Sequence, residues 1–246
     1  MAAWYEDPLF WHDNYRRMFT PVRLDSAETE IGRLLDLIGV SPPGIVLDLC
    51  CGPGRHTLEF AIRGFSAVGV DLTEEYLEEA RRRAADRAVE VELVRSDMRN
   101  FARPDTFDLA VNLFTSFGFF EDEEDDLKVL RNLHRSLKPG GHLVVELTGK
   151  EILAGIFRER DWHRVGDVIY LDERKVIDSW SRMVNTWTII ENGKRTEYRF
   201  TLRLYSAREL MRAVESCGFR EAKAYGGFSA EPYNEAADRL VVTAVK

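Results

Sequence analysis

The sequence has 246 residues, enough for one well-filled core, and its 45% hydrophobic and 31% charged residues are ordinary for a globular protein. Against 34 Lys and Arg stand 42 Asp and Glu, a net charge of −8, which disfavours a nucleic-acid partner because phosphate neutralisation supplies most of such affinity. No apolar run approaches the ~20 residues of a membrane helix. The N-terminal MAAWYEDPLFWHD lacks a secretory signal's order, and the 3 cysteines, without a CxxC pair, offer neither a disulfide framework nor a metal site; the cytoplasm is the expected location.

No repeat or low-complexity linker interrupts the chain. After an aromatic N-terminal segment, Ile31, Leu34, Leu35 and Ile38 recur at helical spacing within residues 25–38, with Gly39 placed as C-cap. Pro42-Pro43-Gly44 reads as a turn and residues 45–49 as a strand. Helix and strand then alternate: helix over 54–63, strand over 67–70, helix over 73–88 with Thr73 as N-cap, and strands over 91–94 and 107–113. A helix over 122–137 is closed by Lys138-Pro139-Gly140-Gly141, and a strand over 142–147 follows. This alternation predicts βαβ units, an α/β fold with a mostly parallel sheet and helices on both faces.

The rhythm breaks after Thr148. Residues 165–205 read as antiparallel strands, with Asn192-Gly193 marking a tight hairpin. Helix returns at the capping box Ser206-Ala207-Arg208-Glu209 and ends at Gly218; residues 220–225 and 240–245 read as final strands. The expected organisation is one domain over 1–246: a core of 25–149 and 206–246, a helical segment over 1–24, and an inserted antiparallel cap over 150–205.

Three segments fall in register at the carboxyl ends of predicted strands, where α/β folds bind ligands. In Val46-Leu47-Asp48-Leu49-Cys50-Cys51-Gly52-Pro53-Gly54 an apolar strand ends in an acid, and Gly52 and Gly54 let the backbone pass close to a ligand. A dinucleotide is disfavoured there. Thr57 stands where a third glycine would be, Pro53 removes an N–H, and Asp48 would repel a phosphate but suits an ammonium. In Gly69-Val70-Asp71-Leu72, Asp71 lies at the next strand tip, where a carboxylate can accept two ribose hydroxyls. In Ser96-Asp97-Met98-Arg99, Asp97 is placed to accept from an adenine amino group while Met98 packs on the ring. A fourth segment, Asn112-Leu113-Phe114-Thr115-Ser116-Phe117, follows the fourth strand.

Through LDLCCGPG, GVDL, SDMRNF, FDLAVNLF and the LKPGG turn, residues 45–148 resemble the class I S-adenosylmethionine (SAM)-dependent methyltransferases. The family loop has a glycine where Cys50 stands. The resemblance implies a Rossmann-like, doubly wound, seven-stranded sheet with an antiparallel insertion before the last helix. It implies SAM as cofactor, held by Asp48, Cys50, Gly52, Gly54, Asp71, Leu72, Asp97, Met98, Asn112 and Leu113, with S-adenosylhomocysteine as product. The insertion is similar in architecture to that of small-molecule N-methyltransferases acting on amino sugars. A small-molecule acceptor methylated at N or O is therefore expected; an RNA or protein acceptor, an NAD-linked oxidoreductase and a SAM-binding protein without turnover are the alternatives.

Other residues carry two readings. In the resembling family an N-terminal helix folds over the cofactor, so that Tyr15 or Trp11 would face the sulfonium through cation–π attraction; equally, Trp4, Tyr5, Phe10, Trp11, Tyr15 and Phe19 are aromatics of a packed amphipathic helix. The six acids of 121–126 read as a solvated helix start, or as an acidic rim for a cationic amine. Cys50 and Cys51 read as small apolar fillers, and His134 and His142 as structural. Glu146 and His163 are the candidate acceptor-side polar groups.

Overall fold

The computed structural model describes residues 3–246. Seven strands form the main sheet: β1 (Ile45–Leu49), β2 (Ser66–Asp71), β3 (Glu92–Arg95), β4 (Phe107–Asn112), β5 (Leu137–Leu147), β10 (Arg220–Tyr225) and β11 (Leu240–Val245), in the order β10-β11-β5-β4-β1-β2-β3. All pairs from β5 to β3 are parallel, and β11 and β10 add antiparallel pairs at the other edge. The chain runs from β1 to β2 on one side and reaches β4 on the other, so the crevice at the carboxyl ends of β1 and β4 is a topological switch point.

Side-chain alternation along the strands fills two cores. Val46, Leu109, Val111 and Val144 meet Leu34 of α3 (Ala27–Ile38) and Phe60 of α4 (Arg55–Ile62) on one face. Leu47, Ala110 and Val145 meet Leu130 and Leu133 of α6 (Glu123–Ser136) and Leu210 and Val214 of α8 (Ala207–Ser216) on the other. The Ser206–Glu209 capping box opens α8, and Asp122 caps α6 by accepting from Glu124 N at 3.0 Å. α5 (Glu74–Asp86) starts after Thr73, whose side chain makes no capping bond; the Asp71 carboxylate takes the Thr73 amide at 2.8 Å instead.

The chain before β1 is more broken than its periodicity suggests. A single 3-10 turn (Trp4–Glu6) precedes α1 (Pro8–Met18), α2 (Pro21–Asp25) and α3, with Ser26 separating the last two. Residues 138–141, expected to close a helix ahead of β5, lie inside that strand as a bulge: the β4–β5 ladder steps from Phe107–Leu137 to Leu109–His142. The bulge is held because Gly140 N donates to Lys246 O and Lys246 N to Gly141 O.

Between β5 and α8 come α7 (Lys150–Ile156), which the sequence pattern did not reveal, and a second sheet. That sheet is an antiparallel meander of β6 (Arg160–Val165), β7 (Val168–Ile177), β8 (Arg182–Glu191) and β9 (Lys194–Arg203). Asn192 and Gly193, at φ 51° and 74°, make the expected β8–β9 turn. The meander is latched to the main sheet through the acidic run. Arg182 and Arg203 both donate to Glu121 O, while Arg203 Nε (3.1 Å) and the Tyr205 hydroxyl (2.9 Å) donate to the fully buried Asp126. Among the described residues, no helix is long and apolar enough to cross a membrane.

Candidate active site

The tips of β1 to β4 form the floor of a cavity of about 440 Å³, α1 and α2 close one side, and the meander forms the opposite wall. The floor is shaped by backbone. Cys50, where the family loop has glycine, adopts φ 64°, a left-handed conformation that costs a side-chain-bearing residue about 1–2 kcal/mol. Gly52 follows at φ 54°, and a Cβ there would come 3.1 Å from Phe19 Cζ. Gly52 N donates to Asp71 Oδ2 at 2.8 Å, so the acid at the β2 tip fixes the loop at the β1 tip. Burial raises the Asp71 carboxyl, opposed by the Thr73 and Gly52 amides, and the half-buried carboxylate still lines the cavity.

Of the residues expected to bind the cofactor, Cys50, Gly52, Asp71, Leu72, Asp97, Met98 and Leu113 line the cavity; Asp48, Gly54, Asn112 and Tyr15 do not. Asp48 is buried beneath the loop and accepts from the Thr57 hydroxyl at 2.6 Å, which explains a threonine where a dinucleotide loop has glycine. Gly54 serves packing: its φ is 76°, and a Cβ would come 2.8 Å from Leu58 Cδ1 and 2.9 Å from Ala80 Cβ. Asn112 donates to Leu49 O at 3.0 Å and leaves its buried Oδ1 without a partner among the described residues. Tyr15 packs on Phe19 and Tyr76, and Trp11 is the N-terminal aromatic of the pair that reaches the cavity. Asp97 is engaged by Arg99, whose guanidinium sits 2.6 Å away and over the Phe120 ring; burial pushes the Asp97 carboxyl up, but the Arg99 bonds carry it below its ordinary value.

The acceptor-side candidates separate. Glu146 is buried outside the cavity lining, where its Oε2 accepts from Phe114 N at 2.6 Å and its backbone oxygen from Thr115 N at 3.1 Å. It thereby braces Phe114 and Thr115, which line the cavity at φ 62° and 56°. His163 does line the cavity, on the meander wall, with its ring stacked 5.1 Å from that of Tyr170. Burial and then the nearby Arg17 charge lower its pKa, leaving the imidazole neutral at pH 7. The acidic run forms no rim here: its residues are outside the lining, occupied in capping and latching. Burial, then the Asp71 and Asp48 charges, push the Cys50 and Cys51 thiols up, which keeps them protonated and unsuited to nucleophilic work.

Several lining residues carry no sequence signal. Arg23 and Arg55 lie 5.1 and 5.2 Å over the Phe114 ring, and Arg55 and His56 are held by the buried Glu30 at 2.5 and 2.9 Å. Burial opposes ionisation of Glu30, but the His56 hydrogen bond and the Arg55 and Arg239 charges outweigh it and hold the carboxyl far below its usual range. Arg17, Trp187 and Phe200 complete the wall from α1, β8 and β9.

Residues 46–141 match the family model described as a methyltransferase domain. The chain is 31% identical over 119 residues to the dTDP-3-amino-3,4,6-trideoxy-alpha-D-glucopyranose N,N-dimethyltransferase of Streptomyces venezuelae, covering 48% of each chain, about half the length of that relative. It is 28% identical to the dTDP-4-amino-2,3,4,6-tetradeoxy-D-glucose N,N-dimethyltransferase of Saccharopolyspora spinosa, over 78% of each chain. These matches support a SAM-dependent methyltransferase enzyme. Its fold agrees with that of a SAM-dependent methyltransferase from Clostridium acetobutylicum, at a TM-score of 0.78 and 18% identity over 96% of this chain and 97% of the other. The oxidoreductase alternative falls with these matches.

The residues of this methyltransferase fit its cofactor chemically. A carboxylate at the β2 tip can accept hydroxyls, and a side-chain-free Gly52 permits close approach.

Proposed function

We propose that the methyltransferase acts on a nitrogen or oxygen of a small-molecule acceptor held between the strand-tip floor and the meander. The observation that carries this reading is the closure of the floor's cavity, about 440 Å³, by α1 and the meander into a space of small-ligand size. The names of the amino-sugar relatives support it. When bound, SAM supplies a sulfonium methyl group for in-line transfer, leaving S-adenosylhomocysteine.

The chain's own residues then have these roles. Asp71 accepts the ribose hydroxyls, Gly52 and Cys50 admit the ligand to the backbone, and Leu72, Met98 and Leu113 pack on it. Asp97, its charge shared with Arg99, borders the adenine end. Arg23 and Arg55 supply cations for a carboxylate. His163, neutral on the facing wall, takes the proton released when an N–H or O–H nucleophile is methylated. Glu146 is a positioning residue that holds the Phe114–Thr115 turn. Holding acceptor and methyl in near-attack geometry accounts for much of the acceleration.

The experiment is transfer of tritiated methyl from SAM into a fractionated lysate, with Asp71→Ala as the blank. Label in the small-molecule fraction is expected. Label only in RNA or protein, or none despite cofactor binding, would overturn the reading.

A further inference from the structure

The meander wall holds an arrangement that methyl transfer itself does not require. Arg17, from α1, lines the cavity with its side chain 8% exposed. Its Nη2 donates to both oxygens of the buried Asp172 on β7, at 2.8 and 2.9 Å, while Nη1 is buried with no partner among the described residues. The guanidinium lies 3.9 Å over the Trp187 ring and 5.1 Å over that of Tyr170.

Asp172 is shared: Arg174 Nη2 also donates to it, at 2.8 Å. Two guanidiniums therefore surround one carboxylate, and the group carries one uncompensated positive charge. Arg174 in turn lines a second cleft under the meander, of about 780 Å³, which shares Thr115, Thr148 and Leu202 with the first and also presents Arg158 and Asp161. Around Arg17 the wall is aromatic, formed by Trp4, Phe10, Phe119, Trp187 and Phe200. A buried cation with an unused donor beside stacked rings matches an anion on a flat apolar body, since a charge-assisted bond is strongest where water is excluded. A cationic acceptor would meet like charge.

We infer that the acceptor carries a carboxylate or phosphate on an apolar or aromatic body, and that Arg17 Nη1 binds this anion beneath the meander. The inference rests on the methyl-transfer reading of the same cavity. Its test uses the full chain saturated with S-adenosylhomocysteine, titrated with benzoate, phenyl phosphate, benzamide and benzylamine while tryptophan fluorescence is followed. Saturable binding of at least one anion is expected, tighter than that of benzamide or benzylamine, and the tighter anion names the acidic group.

Arg17→Gln should weaken anion binding about 10- to 100-fold, the scale of one lost charge-assisted bond, with Arg17→Lys recovering part of it. The double variant Arg17→Gln/Asp172→Asn, which removes the pair together, should behave like the single one. S-Adenosylhomocysteine affinity should stay unchanged in all three, which also reports that they fold. Absence of anion binding, benzylamine binding as tightly, or an indifferent Arg17→Gln would overturn the inference. Failure of the wild-type chain to bind S-adenosylhomocysteine would instead count against the methyl-transfer reading.

Discussion

The floor and the meander wall of the cavity are built on different principles. On the floor, four strand tips within residues 49–117 place backbone and short side chains, and the contacts are local in sequence: Gly52 to Asp71, Asp48 to Thr57, Asp97 to Arg99. The wall joins residues as distant as Arg17, His163, Trp187 and Phe200, through aromatic stacking and one buried ion group. A floor fixed by backbone geometry suits a ligand common to many enzymes. A wall made of long side chains can change without touching it, and under the proposed function that is where the acceptor would be chosen.

The contrast can be broken first at the floor's backbone. Gly54→Ala introduces a Cβ at φ 76° against Leu58 and Ala80, with strain of about 1–2 kcal/mol and overpacking of about 1–3 kcal/mol. Urea denaturation should show the largest stability loss of these variants; an unchanged midpoint would mean that α4 and α5 can separate freely. Next, Glu146→Ala strands the Phe114 amide and should lower stability by about 1–3 kcal/mol. A catalytic Glu146 would instead lose turnover with stability intact, so paired denaturation and turnover measurements distinguish the two.

The smallest effect concerns the latch between the two regions. Burial pushes the Asp126 carboxyl, ordinarily at 3.8, up to about 6, against the Tyr205 and Arg203 bonds. Between those values the folded protein binds a proton that the unfolded chain does not, so this group makes stability fall as pH rises from 3.8 to about 6. Asp126→Asn should remove that slope, at most about 1.4 kcal/mol per pH unit within the window, in urea titrations at stepped pH. An unaltered slope would place the carboxyl's titration outside the window.

The same contrast governs what was legible in the sequence. The parallel sheet, the order of the strand-tip segments and the Asn192-Gly193 hairpin follow from short-range patterns, and the structure has them. Asp71, Met98 and Leu113 reach the cavity because a strand's end fixes where the next residues point. Asp48 and Gly54 lie in the same loop, but which residues face a ligand and which brace it is decided by Thr57 and Ala80 across the packing, outside the motif. Tyr15 and Trp11 differ by about one helical turn, and only packing on Tyr76 and Phe19 determines which one reaches the cavity. Asp126 looked like one solvated acid among six; its burial depends on Arg203 and Tyr205, some 80 residues away. Arg17 had no pattern at all, because its partner Asp172 is 155 residues distant.

The central claim, that the floor holds the cofactor and the wall holds the acceptor, is tested most directly by calorimetric titration of S-adenosylhomocysteine into the wild-type chain, Asp71→Ala and Trp187→Ala. The account predicts that Asp71→Ala loses about 1–3 kcal/mol of binding, about 5- to 150-fold in affinity, while Trp187→Ala binds as the wild type does. Unchanged affinity in Asp71→Ala, or an equal loss in Trp187→Ala, would contradict it.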